Sequence, residues 1–349
     1  MAESKRAAVT RYLSDATKPL RPVLTSLNGD NSWLMSFLRP RPEQAATGKA
    51  YYHIAFEPWL KGPANVVHSW FIQISRTSDA GISDVKHIEA VAKEIEQAAA
   101  IHMNSQNHPF NKDDSSQIID AILLEFHIQD HLHEPTLRTF SPDIPVIATP
   151  RVAKIVQAWD HFTTIRVIQD LDPSATCWRE PSIHPGEPLP AWLTPIRMPG
   201  HADLNFAFAL IWSHTSDDQE IHEVILNSPH GVKVETGPLD AFIQSEPKTK
   251  KLAMLHGLKE SHTGGVQTTF GAKAGLALYR SVGGVKYWIP SHSSRLDYRG
   301  VFMRVIWTID TPRTVDWAVE QERKGGSVGD LERPNCVQIP NGGSMVLES

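Results

Sequence analysis

Chemistry concentrates in the segment Leu124-Glu125-Phe126-His127-Ile128-Gln129-Asp130-His131-Leu132-His133. Asp130 and His131 set an oxygen and a nitrogen donor side by side, and His133 follows two positions on. A hard donor beside a borderline one suits zinc, manganese or iron. The chain holds 17 histidines, and imidazole is both the commonest metal ligand and the usual proton-transfer group near neutral pH. Further candidates are His230 in Ser228-Pro229-His230-Gly231, His292 closing Tyr287-Trp288-Ile289-Pro290-Ser291-His292, His201 after Pro199-Gly200, and His256. Each also has a plain alternative. Asp130 can cap a helix, His292 can end a strand, and His230 can serve a turn before Gly231. His133, His201 and His256 fit pocket lining or support better than direct ligation. His53, His87, His102 and His108 have no converging partners and are expected at the surface.

The elements that must position these residues alternate. Residues 32–38 and 51–56 read as strands, the second stopped by Glu57-Pro58. Residues 69–75 suggest another. Ser83 suits an N-cap, and Val85, Ile88, Val91, Ala92 and Ile95 recur at helical spacing. Residues 118–124 form a near-continuous apolar run, the mark of a strand buried on both faces, with the Asp130-His131 segment at its end. Strand 144–148, helix 151–161 and strand 165–168 continue a β-α-β rhythm that argues an α/β fold. A proline-rich loop is expected over 173–195. Strands 206–212 and 224–226 flank a polar turn at 213–220. Strand 251–255, helix 272–280, strand 285–289 and helix 314–323 follow, and 336–347 suggests two short terminal strands. Residues 1–30 read as a polar lead-in, and 31–349 as a single domain, since no shift in composition marks a boundary.

Bulk properties narrow the class. Apolar residues make up 41% and charged residues 21% of the 349, and the net charge is −5, so the chain is an ordinary globular one. No Lys/Arg run marks a nucleic-acid or membrane partner. The two cysteines, Cys177 and Cys336, form no disulfide framework. Residues 1–18 lack the apolar stretch of a secretory signal, and no apolar run reaches the ~20 residues that span a bilayer. The expected address is the cytoplasm; oligomeric state is left open. Gly325-Gly326-Ser327-Val328-Gly329 matches a nucleophile elbow but lacks the apolar strand that must precede one. It is expected to be a glycine-rich loop.

Residues 118–133 resemble the H-x-H-x-D-H motif of the metallo-β-lactamase superfamily, aligned on Asp130-His131, with Phe126 and Ile128 in place of the first two histidines. The stretch His53-Ile54-Ala55-Phe56-Glu57-Pro58-Trp59-Leu60 is similar to the I-D-P-W-L strand of a lactonase-like branch. Pro199-Gly200-His201 resembles the middle P-G-H, His230 stands where a bridging aspartate is usual, and His292 matches the last metal histidine. These matches run in order over residues 32–295 and are most similar to fungal members.

The resemblance implies an α/β, four-layered αβ/βα sandwich with one of its two metal sites lost. Asp130, His131 and His292 would hold one divalent ion, zinc with manganese or iron as alternatives. His230 would be a fourth ligand or the acid–base group, with Asp130 and His230 the catalytic pair. The implied activity is hydrolysis of a small-molecule lactone, ester, thioester or amide. Trp59, Trp70 and Trp192 are candidates for an apolar pocket wall. His127, between the two lost ligands, is expected to face away from them, as neighbours do in an extended segment. The other implied course is a metal-free protein, either a small-molecule binder or an acid–base isomerase or cyclase of secondary metabolism, because one scaffold hosts many chemistries.

Overall fold

A computed structural model describes residues 2–103, 117–235, 237–326 and 332–349. Contacts fall into two compact units. The first comprises Met1–Gly62, Ser78–Arg166 and Ile339–Glu348; the second comprises Pro63–Thr77, Val167–Gln338 and Ser349. Each combines sheet and helix, and the expected α/β class is the one found.

The first unit is built on a seven-stranded sheet, in the order Ser344–Val346, Val23–Ser26, Trp33–Leu38, Tyr51–Phe56, Ala121–Leu124, Val146–Ala148 and Ile165–Val167. Strands Tyr51–Phe56 and Ala121–Leu124 are buried at every position and pair in parallel, Phe56 opposite Leu123. That burial is why they read as continuous apolar runs. The ladder starts at Ala121 rather than 118. Asp120 accepts from Arg39 at 2.6 Å and from the His53 amide at 2.8 Å, so its carboxylate caps the strand entry.

The lead-in expected over residues 1–30 is corrected. Ala2–Leu13 is a helix and Val23–Ser26 an interior strand. The helix buries Val9 and Leu13 alone among its large apolar residues, a stripe too thin to show as periodicity. Asn28 Oδ1 accepts the amides of Asp30 and Ser32 at 2.9 and 3.1 Å, so the polar turn is folded inward and satisfied. Helix Val85–Ala99 takes Asp84, not Ser83, as its N-cap, accepting the His87 amide at 3.0 Å. His53, expected at the surface, is fully buried, held by Ser36 Oγ at 2.8 Å and Glu96 at 3.1 Å. His108 lies outside the described residues.

The second unit holds a five-stranded sheet, ordered Tyr287–Pro290, Lys250–His256, Gln219–Ser228, Asn205–Ser216 and Leu193–Ala202. Its first three strands run parallel, with Ser228 opposite His256 and His256 opposite Pro290. The polar turn expected at 213–220 shrinks to two residues. Ser216 pairs with Gln219, and Asp217 and Asp218 take φ of 50° and 61°, as a tight hairpin turn demands. The polar flanks are strand ends that run beyond the buried part of the sheet. Helices Gly237–Gln244, Gly271–Ser281 and Val315–Lys324 complete the unit with two three-stranded sheets. One terminal strand forms, Ser344–Val346, while Cys336 makes only an isolated bridge to Trp288. Ser327 and its two following residues in the glycine-rich stretch lie outside the described residues.

Thr314 caps the last helix by accepting the Trp317 amide at 3.1 Å. Thr314→Ala is expected to cost about 1 kcal/mol, read as a lowered denaturant midpoint with unchanged slope. A midpoint equal to that of the parent chain would show the cap to be dispensable.

Candidate metal site

In the first unit, the C-terminal ends of parallel strands are tied into one polar knot. Glu57, just beyond Phe56, sits at φ 43° and is fully buried. A non-glycine residue in that region is strained, and such strain gathers at functional sites. Its Oε1 accepts the amides of Glu125 and Phe126 at 3.1 and 2.9 Å, and its Oε2 lies 2.5 Å from His131 Nδ1. Thr149 Oγ1 donates to the Glu125 carbonyl at 2.7 Å, fixing the same loop from the next strand.

His131 is thus oriented by its Nδ1, which donates to the Glu57 carboxylate. This carboxylate–imidazole pairing is the usual support of a metal-binding histidine. Burial lowers the basicity of His131, but Glu57, then Asp130 and Asp30, outweigh it and raise the imidazole to about 9. Asn31 Nδ2 holds the Asp130 carbonyl at 2.9 Å. The Asp130 carboxylate is buried, with Oδ1 lacking a hydrogen-bond partner. Phe126 packs on His131, ring centroids 4.7 Å apart.

The second unit presents two histidines beyond parallel strand ends. His230 follows Ser228, and its carbonyl accepts the Phe270 amide at 2.9 Å. Thr269 Oγ1 lies 3.2 Å from His230 Nδ1. Gly231 at φ 83° completes the turn, where an added Cβ would stand 3.0 Å from Phe270. His292 takes φ 53°, a second strained non-glycine position. The rings of His230 and His292 lie 4.7 Å apart.

His131 in the first unit and His230 and His292 in the second are all buried. Three imidazoles form a common catalytic zinc set, so the donors fit a divalent ion.

The supporting residues fall elsewhere. His133 is the N-cap of helix Glu134–Leu137, accepting the Thr136 amide at 3.3 Å. His201 is exposed and stacks on Phe270 at 5.5 Å. His256 is fully buried between the strands leading to His230 and His292. The pocket-wall expectation is corrected for two tryptophans. Trp59 is entirely buried, its Nε1 donating to the Gly62 carbonyl at 2.9 Å, and Trp70 is 63% exposed. His127 precedes a bend and turn at 128–131 rather than lying in an extended segment. Glu57 is the functional residue that motif spacing missed. Its signals were an acid closing an otherwise apolar strand and its place at the acidic position of the stretch similar to I-D-P-W-L.

No family model matches the chain, and no curated protein matches it. Solved structures do. An isothiocyanate hydrolase from Delia radicum gut bacteria aligns over 93% of this chain and 98% of its own, at 13% identity and a TM-score of 0.51. A possible metal-dependent hydrolase from Veillonella parvula aligns over 94% and 100%, at 11% identity and a TM-score of 0.46. Igni18, a metallo hydrolase from Ignicoccus hospitalis, aligns over 94% and 99%, at 11% identity and a TM-score of 0.44. Identity this low speaks to fold. The fold is the α/β fold of the metallo-β-lactamases.

Proposed function

We propose that the chain is a metal-dependent hydrolase of a small-molecule lactone, ester, thioester or amide, working with a single divalent ion. One observation carries it: three buried histidines follow strand ends in their own units, two of them with Nδ1 held by a partner, and His230 and His292 lie with ring centroids 4.7 Å apart. His131, His230 and His292 would hold the ion, most naturally zinc, with manganese or iron as alternatives. When bound, it supplies Lewis acidity toward a carbonyl oxygen.

The chain's own residues do the rest. Glu57 holds the His131 proton on Nδ1, so that Nε2 would be the atom offered to the ion. Thr269 steers His230 in the same sense. Asp130, buried with an unpaired Oδ1, is the fourth ligand or the proton acceptor beside the ion, since a buried carboxylate oxygen needs a cation or a proton. The lost first pair of histidines, at Phe126 and Ile128, limits the site to one ion and fits the lactonase-like branch in degenerate form. The metal-free alternative, a small-molecule binder or an acid–base isomerase or cyclase, draws on the same histidines.

Elemental analysis and turnover decide together. Protein purified without added metal is expected to carry one equivalent of a divalent ion. Turnover of a lactone, ester, thioester and amide panel, with an isothiocyanate included, should vanish on chelation and return with zinc. Two equivalents would refute the single-ion site, and activity indifferent to chelation would leave the metal-free alternative.

A further inference from the structure

Large exposed apolar side chains are scattered singly on most proteins, and a concentration of them marks an interaction surface. Among the described residues eight are strongly exposed, and seven belong to three neighbouring segments of the second unit: Val67, Trp70, Val266, Val301, Val305, Trp307 and Ile309; Ile101 lies elsewhere. Backbone contacts weld the segments together. Val301 and Phe302 donate to the carbonyls of Trp70 and Phe71 at 2.9 and 3.2 Å, and Gly264 donates to Trp307 at 3.1 Å. Gly300, at φ 119°, passes so near that an added Cβ would lie 2.2 Å from the Phe71 carbonyl oxygen. Phe71 and Phe302 then pack at a tilt of 39°, centroids 5.0 Å apart, and Trp70 abuts Phe71 edge-on at 5.9 Å. The apolar surface is therefore held outward by a packed base rather than by loose chain.

Charge selects the occupant. Residues 299–309 carry Arg299 and Arg304, both exposed, and no acid. Residues 63–71 carry no acid either. Asp310 is engaged by Lys259 at 3.2 Å and Ser261 at 2.7 Å, leaving Asp297 as the exposed carboxylate nearby in sequence. A second copy docked on the same face about a two-fold axis would set these arginines against themselves. Tryptophans beside aliphatic residues and arginines instead match the boundary of a bilayer, where rings lie at headgroup depth and guanidinium groups meet anionic lipid. We infer that this tip is a peripheral docking surface for anionic lipid bilayers. It departs from the expectation of no membrane partner, which rested on the absence of a linear basic run; this patch is assembled from separate segments. No described helix is long and apolar enough to cross a membrane, so attachment is interfacial.

Flotation of the full chain with phosphatidylcholine vesicles, with and without about 30% phosphatidylserine, tests it. Binding is expected with the anionic vesicles and is expected to weaken with salt. The Trp70→Ser/Trp307→Ser double variant should lose about tenfold or more in partition. Arg299→Gln/Arg304→Gln should lose about fivefold per arginine. All four side chains are exposed, so thermal midpoints should not move. Absence of binding to anionic vesicles, or binding indifferent to both double variants, would overturn the assignment. So would a concentration-dependent dimer abolished by the tryptophan variant, which would identify a second copy as the occupant.

Discussion

His131→Ala is expected to abolish metal retention and to lower turnover by about 10³-fold or more, the scale of losing Lewis-acid stabilisation altogether. Glu57→Gln separates the ligand from its support. Glutamine can still accept the Glu125 and Phe126 amides through one oxygen, so the loop keeps its anchor. It cannot supply the negative charge that polarises His131. At high pH, where no proton competes, metal affinity is expected to fall about 10- to 100-fold. Near pH 7 a second effect opposes the first. In the parent chain Glu57 helps hold the His131 imidazole at about 9, so a proton must leave before the ion can bind, and affinity should climb as pH rises from 7 to 9. Glu57→Gln removes much of that competition and should flatten the climb. Metal titration at several pH values reads both effects. A Glu57→Gln profile parallel to that of the parent chain would show that the carboxylate does not govern His131.

How far these residues were legible in advance follows from range. Asp130, His131, His230 and His292, the proposed site residues, show in one dimension as polar types placed after apolar strands. Histidines 230 and 292 come together through a parallel register, Ser228 to His256 to Pro290, and the strands that set it were visible as apolar runs. Glu57 was hidden because its partners are 68 to 74 positions away; nothing local distinguishes a buried support from a strand-ending acid. The N-terminal helix was hidden for the opposite reason, since two buried contacts on a polar segment leave almost no periodic signal. The hairpin's polar ends were misjudged because a strand that outruns its sheet's buried face stops alternating with the core. The apolar tip was invisible for want of a run at all: its tryptophans lie 237 positions apart in sequence, between residues 70 and 307.

Acid is expected to destabilise the fold through His256. Burial, only partly offset by the hydrogen bond from Nδ1 to the Gly257 carbonyl at 2.7 Å, lowers this imidazole to about 4. Its Nε2 is buried without a hydrogen-bond partner, and the ring meets Trp288 edge-on at 5.8 Å. No room is left beside it: a Cβ added at Gly275 would lie 2.8 Å from Nδ1. A charged imidazole there is buried and, among the described residues, faces no carboxylate in ion-pair distance. In the unfolded chain the same group titrates near 6.5. Between these values the unfolded state binds the extra proton and the folded state does not, so stability falls as pH is lowered. The contribution is intact above about 6.5 and is lost progressively as pH approaches 4, amounting to about 3 kcal/mol. His256→Gln, uncharged at every pH, should be less stable than the parent chain at pH 7 yet lose less between pH 7 and 4. Thermal midpoints of both proteins, taken metal-free across that window, measure the difference. Parallel acid limbs would mean that His256 is protonated in the folded chain and that the acid sensitivity arises elsewhere.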